Sequence, residues 1–439
     1  MADHGEDKAP GWLERQVSRV LKKQGDVIEA TAEQAAAHDV LNMLEVLGVV
    51  MLEVGQATND VEESLRAIAK AYKLTDARTI VLPTVIVLQS EQAGGEVRIQ
   101  SARVAGGRLD QAGAIEVLTA KALRAEVTPA EAIAEARRIR SASPRFGPWL
   151  TLVGHIVLTV GFGMVINPTA QAIPIYIGLG AGVGGLVLLS RKIPGLSATI
   201  PVVAAFAVTL VTTLVLVHVV GGEPLKIIAP PLVSFLPGTT LTIAAIELTS
   251  NQVVAGASRI VYGVAQLLLL VFGVYAASTV AGTIHASGVQ PTLGPWAGIV
   301  GVALVAVGFT LFMSAPRGAL PWIFLSLVVC YGAQALGVLA LGPALSGFFG
   351  AIVVAPFARV ASRFRTSPPA AVMSLASFWL LVPGALGFIG LTGVLQGGTG
   401  GVTALTTAGI SVLAIALGAI VGVSLSRDGG RLLRLARRK

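Results

Sequence analysis

The stretch FLPGTTLTIAAIEL, Phe235 to Leu248, decides the fold. A Pro237-Gly238 pair interrupts an apolar segment, Thr239 and Thr240 follow, and a lone carboxylate, Glu247, closes it. In hydrocarbon such a break leaves backbone N–H and C=O groups without helical partners. It survives only where protein or water satisfies them. An ionisable side chain at membrane depth points to function. The segment therefore reads as half of a solute pathway.

The rest of the composition agrees. Of 439 residues, 54% are hydrophobic, and the mean hydropathy is +0.77. Between Trp149 and Leu425 the acidic residues are Glu223 and Glu247 alone, and apolar runs of about 20 residues, the length of a spanning helix, recur there. The net charge of +8 does not indicate nucleic acid. The basic residues sit in short loops and at the C-terminus, as membrane orientation requires. The single cysteine, Cys330, lies in an apolar run and excludes an intrachain disulfide or thiolate metal site. The acidic, polar N-terminus predicts no secretory signal peptide and a first domain that stays in the cytosol.

Residues 1–36 read as an amphipathic or flexible N-terminal segment, with Leu13, Val17, Val20 and Leu21 on one helical face. Residues 37–147 read as a cytosolic α+β domain. Leu41, Leu44, Leu47, Val50 and Met51 form a helical stripe ending near Gly55, and Asn59 with Glu62 fits a capping box for the next helix. Ala77–Gln89 and Glu96–Val104 read as strands joined by a turn at Gly94-Gly95, with helices following over 110–124 and 129–140. The domain offers no metal-ligand cluster, phosphate loop or nucleophile-base pair, so no cofactor and no enzymatic activity are expected.

Ten apolar spans follow, at 149–166, 172–190, 199–219, 225–248, 256–280, 295–313, 319–340, 343–358, 371–395 and 403–425. With the N-terminus inside, the inner loops carry Arg191, Lys192, Arg259, Arg317, Arg359, Arg363 and Arg365, whereas the outer loops carry only Lys226. Both termini, including a basic tail over 426–439, are then cytosolic. The spans divide into two fives, 149–285 and 295–425. VGF at Val160–Phe162 recurs at Val307–Phe309, Ile173-Pro174 recurs as Leu320-Pro321, and Pro237-Gly238 recurs as Pro383-Gly384, at separations of 147, 147 and 146 residues. Because five is odd, the second unit enters the membrane inverted. The expected fold is a polytopic α-helical membrane protein of two inverted five-helix repeats behind a soluble α+β domain, a common construction for secondary transporters.

The run LGVVMLEVGQATNDVEESLRAIAKAYKL, Leu47–Leu74, resembles the N-terminal signature of the bacterial threonine/serine exporter family, and the FLPG and LVPG segments look like that family's two membrane halves. The resemblance covers nearly the whole chain. It implies a multi-pass protein of the bacterial cytoplasmic membrane that exports small hydroxylated or neutral amino acids with the proton motive force. Members built from separated halves have been associated with dicarboxylate export. The partners so implied are an amino acid, protons and the lipid bilayer; a homo-oligomer stays open.

A zwitterionic substrate presents a carboxylate and an ammonium. A helix restarting after Gly238 would offer its unpaired N–H groups to the carboxylate, with Thr239 and Thr240 at the new terminus. The restart after Gly384 repeats that backbone without hydroxyls, so the first repeat is expected to supply most polar contacts. Glu247 follows Gly238 by nine residues, roughly 13 Å along an unbroken helix. It suits proton coupling or the ammonium, and a salt bridge to Arg259 is the structural alternative. His155, near mid-span, suits a proton relay or a helix-helix contact. Ser234, Asn251 and Gln252 are placed along the route, and His218 and His285 at outer ends. A membrane receptor with a cytosolic output domain is the competing class. It has no need of two opposed halves.

Overall fold

The computed structural model describes residues 12–103, 107–193, 195, 199–216, 224–282, 291–381, 383–395 and 401–436. His218 and His285 lie outside the described residues. The chain opens with one 42-residue helix, α1 (Trp12–Glu53), which runs unbroken across the boundary expected at residue 36. Positive φ at Gly55 follows its end. α2 (Thr58–Ala71) comes next, then a three-stranded antiparallel sheet, then α3 (Leu109–Leu123) and α4 (Pro129–Ser141).

The sheet corrects one expectation. Ala77–Gln89 is not a single strand but a hairpin, β1 (Arg78–Leu82) and β2 (Val85–Gln89), pairing Leu82 with Val85 across Pro83-Thr84. Proline cannot donate to a ladder, so it turns the chain there. β3 (Val97–Ser101) pairs with β2 after the Gly94-Gly95 turn, where both φ are positive. A second correction concerns capping. α2 begins one residue before Asn59, so Asn59 cannot cap it, and its side chain donates to Asp60 instead. A full capping box stands at Thr128 and Glu131, on α4. Leu41, Met43, Leu44 and Leu47 of α1 bury against Leu65 and Ile68 of α2, Ile86 of β2 and Ile115 of α3.

Beyond Gly147 the chain is helical: α5 (Pro148–Ile166), α6 (Ala172–Lys192), α7 (Ile200–Val211), a short α8 (Pro224–Ile228), α9 (Gly238–Thr249), α10 (Val253–Ala281), α11 (Trp296–Phe312), α12 (Ala319–Leu341), α13 (Pro343–Ala361), α14 (Ala370–Leu380), α15 (Pro383–Leu395) and α16 (Gly401–Ala436). Among the described residues seven helices are long and apolar enough to cross a membrane, and three shorter apolar ones accompany them. One of the seven, Thr31–Glu53, was not expected as a span. Its apolar residues are those of the domain core. Outward faces elsewhere are apolar too: Leu339 on α12 is 84% exposed and Leu413 on α16 57%. Water would penalise such surface, and lipid does not.

The fourth and ninth stretches are broken, not continuous. In the fourth, α8 passes through a 3-10 turn (Pro230–Phe235) into α9; in the ninth, α14 gives way to α15. The third ends in a π-helical turn, Thr212–Leu216. The halves meet through glycines. A Cβ on Gly161 would lie 2.6 Å from Val305 N, and one on Gly308 would lie 2.4 Å from Leu158 N. Gly154 meets Leu311 and Phe312 in the same way, so α5 and α11 cross antiparallel with backbones in contact. Gly308 and Val305 each stand 147 residues after Gly161 and Leu158, so the two contacts are exchanged copies of one another. The reciprocity extends outward: α9 packs on α16, and α15 packs on α10.

Candidate functional site: a cavity between the domain and the broken helices

α9 restarts where the sequence places the break. Pro237 takes the N-cap position with no side-chain cap, and the first i to i−4 bond runs from Leu241 N–H to Pro237 C=O. The N–H groups of Thr239 and Thr240 therefore project from the helix end, carrying its positive dipole. Thr239 opens onto a cavity of about 380 Å³, within the range of small-molecule sites, roughly 300–1,000 Å³. The cavity follows α9 from Thr239 to Ser250, roughly 16 Å at the helical rise. α13, α14 and α16 of the second half form the facing wall, and the Val54–Asp60 segment of the domain closes one end.

The lining departs from the expectation that the first half supplies most polar contacts. Thr239 and Ser250 come from that half and Ser374 and Ser424 from the second, while Gln56, Asn59, Asp60 and Glu63 come from the domain. No lysine, arginine or histidine lines the cavity among the described residues. A larger groove of about 530 Å³ between α6 and α7 is lined entirely by apolar residues and glycine. It offers nothing to bind a charged solute.

Glu247 lies at the end of α9 nearest the domain and is fully buried. One carboxylate oxygen accepts from Arg259 Nε at 3.0 Å, and the other accepts from the backbone N–H of Thr58 at 2.9 Å. Thr58 is the first residue of α2. The carboxylate thus pairs with the cation foreseen as its alternative partner and also caps α2 of the N-terminal domain, far away in sequence. Neighbouring Gln252 donates to Glu62 of the same helix at 3.0 Å.

His155 stands apart from the cavity. The Gly180 carbonyl, 3.0 Å from Nδ1, can only accept, so Nδ1 carries the proton. Nε2, 3.1 Å from Ser234 Oγ, then accepts the serine proton. Both ring nitrogens are engaged, and the ring packs edge-on against Phe312 at 5.3 Å. His155 and Ser234 are therefore brought together, tying α5 and α6 to the 3-10 turn before α9.

The remaining candidates scatter. Asn251 is exposed beyond the end of α9 with φ +65° and does not line the cavity; it terminates the helix. Pro383 and Gly384 open α15, which packs against α9 and α10. Sequence reasoning missed Ser374 and the domain's share of the lining, since neither carries a local signal. It also missed Glu116, a half-buried carboxylate on α3. This residue accepts from the backbone N–H groups of Ala370 at 3.1 Å and Ala371 at 2.8 Å, the start of α14.

Residues 43–281 match the ThrE family model, whose members are described as threonine/serine exporters. No curated protein and no solved structure matches the chain.

Proposed function

We propose that this chain, which belongs to the threonine/serine exporter family, is a secondary transporter that carries threonine, serine or a similar small neutral amino acid out of the cytosol, driven by protons. The observation that carries this reading is the cavity at the start of α9. There, helix-end N–H groups open onto a cavity whose far, domain end carries Asp60 and Glu63 and whose lining, among the described residues, has no basic side chain. The substrate carboxylate binds the N–H groups of Thr239 and Thr240, and the Thr239 hydroxyl meets the substrate's own. Asp60 and Glu63 stand at the domain end of the cavity, where they favour entry of a solute carrying an ammonium.

That lining opposes the second reading, a dicarboxylate exporter. Two substrate charges would meet one helix end and no lysine or arginine, while Asp60 and Glu63 repelled them. A receptor would need no cavity walled by both halves.

The exchanged contacts of α5 with α11, and the crossed packing of α9 on α16 and of α15 on α10, support two inverted halves moving about a shared axis. Arg259, in the first turns of α10, and the loop carrying Arg317 lie on the domain's side, which supports cytosolic termini in a bacterial inner membrane. Glu247 is the coupling residue: its two carboxylate oxygens tie Arg259 and the Thr58 N–H together. A relay through His155 has its outlet at the Ser234 hydroxyl.

Proteoliposomes loaded with labelled threonine or serine, under an imposed pH gradient, test the reading. Gradient-dependent flux of either is expected, with KM raised roughly tenfold or more by Thr239→Val. Flux of a dicarboxylate alone would overturn the substrate class.

A further inference from the structure

The domain and the membrane part are joined by two contacts of the same kind and opposite direction. Glu247, from the membrane part, accepts the Thr58 N–H at the start of α2 in the domain. Glu116, from the domain, accepts the Ala370 and Ala371 N–H groups at the start of α14 in the membrane part. Neither α2 nor α14 has a side-chain cap of its own. Each helix start is therefore satisfied only while the two bodies are docked, and each would turn to water on separation. One contact holds the first half through α9, the other holds the second half through α14. Between them lies the cavity, with domain residues Asn59 and Ala112 in its wall.

We propose that the N-terminal domain is the gate of this cavity, held shut across both halves by the Glu247 and Glu116 caps, and that it must undock for solute to pass. The inference rests on the cavity being the solute route. Simultaneous caps on both halves mean that a rearrangement of one half against the other strains at least one of them. The gate thereby senses the relative position of the halves as well as blocking the opening.

Two substitutions loosen the gate without attacking the membrane fold. Thr58→Pro deletes the N–H that Glu247 accepts. Proline is favoured at the first helical position, and Ala57 before it already has the extended φ −68°, ψ 145° that a following proline requires. Glu116→Ala removes the other cap. A third variant closes the gate for good. A Cβ on Gly113 would lie 3.2 Å from Val372 Cγ2 on α14, so Gly113→Cys with Val372→Cys places two thiols within disulfide reach.

The test uses the full-length chain in inside-out membrane vesicles with Cys330→Ala, and Ala355→Cys on the cavity wall as reporter. The rate of its labelling by a membrane-impermeant maleimide is read. Thr58→Pro and Glu116→Ala are expected to raise that rate at least tenfold. Oxidation of the Gly113→Cys/Val372→Cys pair should lower it at least tenfold, with recovery on reduction. Equal labelling of the oxidised and reduced pair would overturn the gate, because the cavity would then be open with the domain fixed. The readout needs no substrate. Gated labelling without threonine or serine flux would therefore sink the substrate reading and leave the gate standing.

Discussion

Thr58 carries two polar groups with different fates. Its N–H donates to Glu247, while its hydroxyl is buried and finds no hydrogen-bond partner among the described residues. The donor is therefore the part of Thr58 that the contact uses. At the other end of that contact, Glu247 and Arg259 form a pair in which the acid is fully buried and the arginine side chain is 14% exposed. Removing one member of a buried pair strands the other, at a cost of about 3–5 kcal/mol. Arg259→Ala is accordingly expected to lower the unfolding temperature in detergent micelles, and the double variant Arg259→Gln/Glu247→Gln to recover part of the loss. Asp76 gives a pH signature of the domain. Burial alone would raise its carboxyl, but hydrogen bonds from the Gln92 backbone and the Ser90 hydroxyl hold it below the usual range. The unfolded chain then binds the proton more readily, so this contribution is complete above the ordinary carboxylate value and fades as pH falls through the lowered one. Chemical denaturation across that window should show the fade, and Asp76→Asn should abolish it. The residue types at these sites were visible beforehand, Glu247 most of all. Its bond to Thr58 was not, because 189 residues separate them.

Helices with no water between them gain little from apolar burial, so close backbone approach carries much of their association. The crossing of α5 and α11 shows how little slack that leaves. Gly308→Ala would drive a methyl to 2.4 Å from the Leu158 backbone, which cannot rotate away as a side chain can. Overpacking of this kind costs about 1–3 kcal/mol. Gly178→Ala on α6 meets nothing within 4 Å. Thermal unfolding should therefore separate the two glycines, with Gly308→Ala destabilised and Gly178→Ala close to wild type. At this scale the sequence is informative about where helices start and stop. Proline-glycine pairs mark both restarts, and Gly55 marks the end of α1. It misled at Pro83, where a strand-like run conceals a hairpin, and at Asn59, where a capping pattern fell one residue inside the helix. Local pattern is blind to a cap arriving from another part of the fold.

Across the whole molecule, hydrogen bonds among the described residues join the domain to the membrane part at the end of α9, in the loop after α11 and at the start of α14. The contacts are Thr58 and Glu62 with Glu247 and Gln252, Leu109 N–H with the Met313 carbonyl, and Glu116 with Ala370 and Ala371. Under the arrangement we propose, all three sites lie on the cytosolic side of the membrane. Reporter fusions to the two ends are therefore expected to report the same compartment, the cytosol. A C-terminal reporter active only outside would overturn the odd-numbered inverted arrangement.

Read alone, the sequence shows that the chain is a membrane protein, marks where two of its helices restart, and carries motifs that recur at offsets of 146 or 147 residues. These follow from hydropathy, backbone chemistry and spacing, all of which are written locally. Only the tertiary structure decided what faces the broken helix. The domain closes the cavity, the two halves share its polar lining, and Glu247 and Glu116 cap helices that belong to the opposite body. The physical reason is that a helix start is satisfied by any acceptor at hydrogen-bond distance, and distance in space is not encoded by position along the chain.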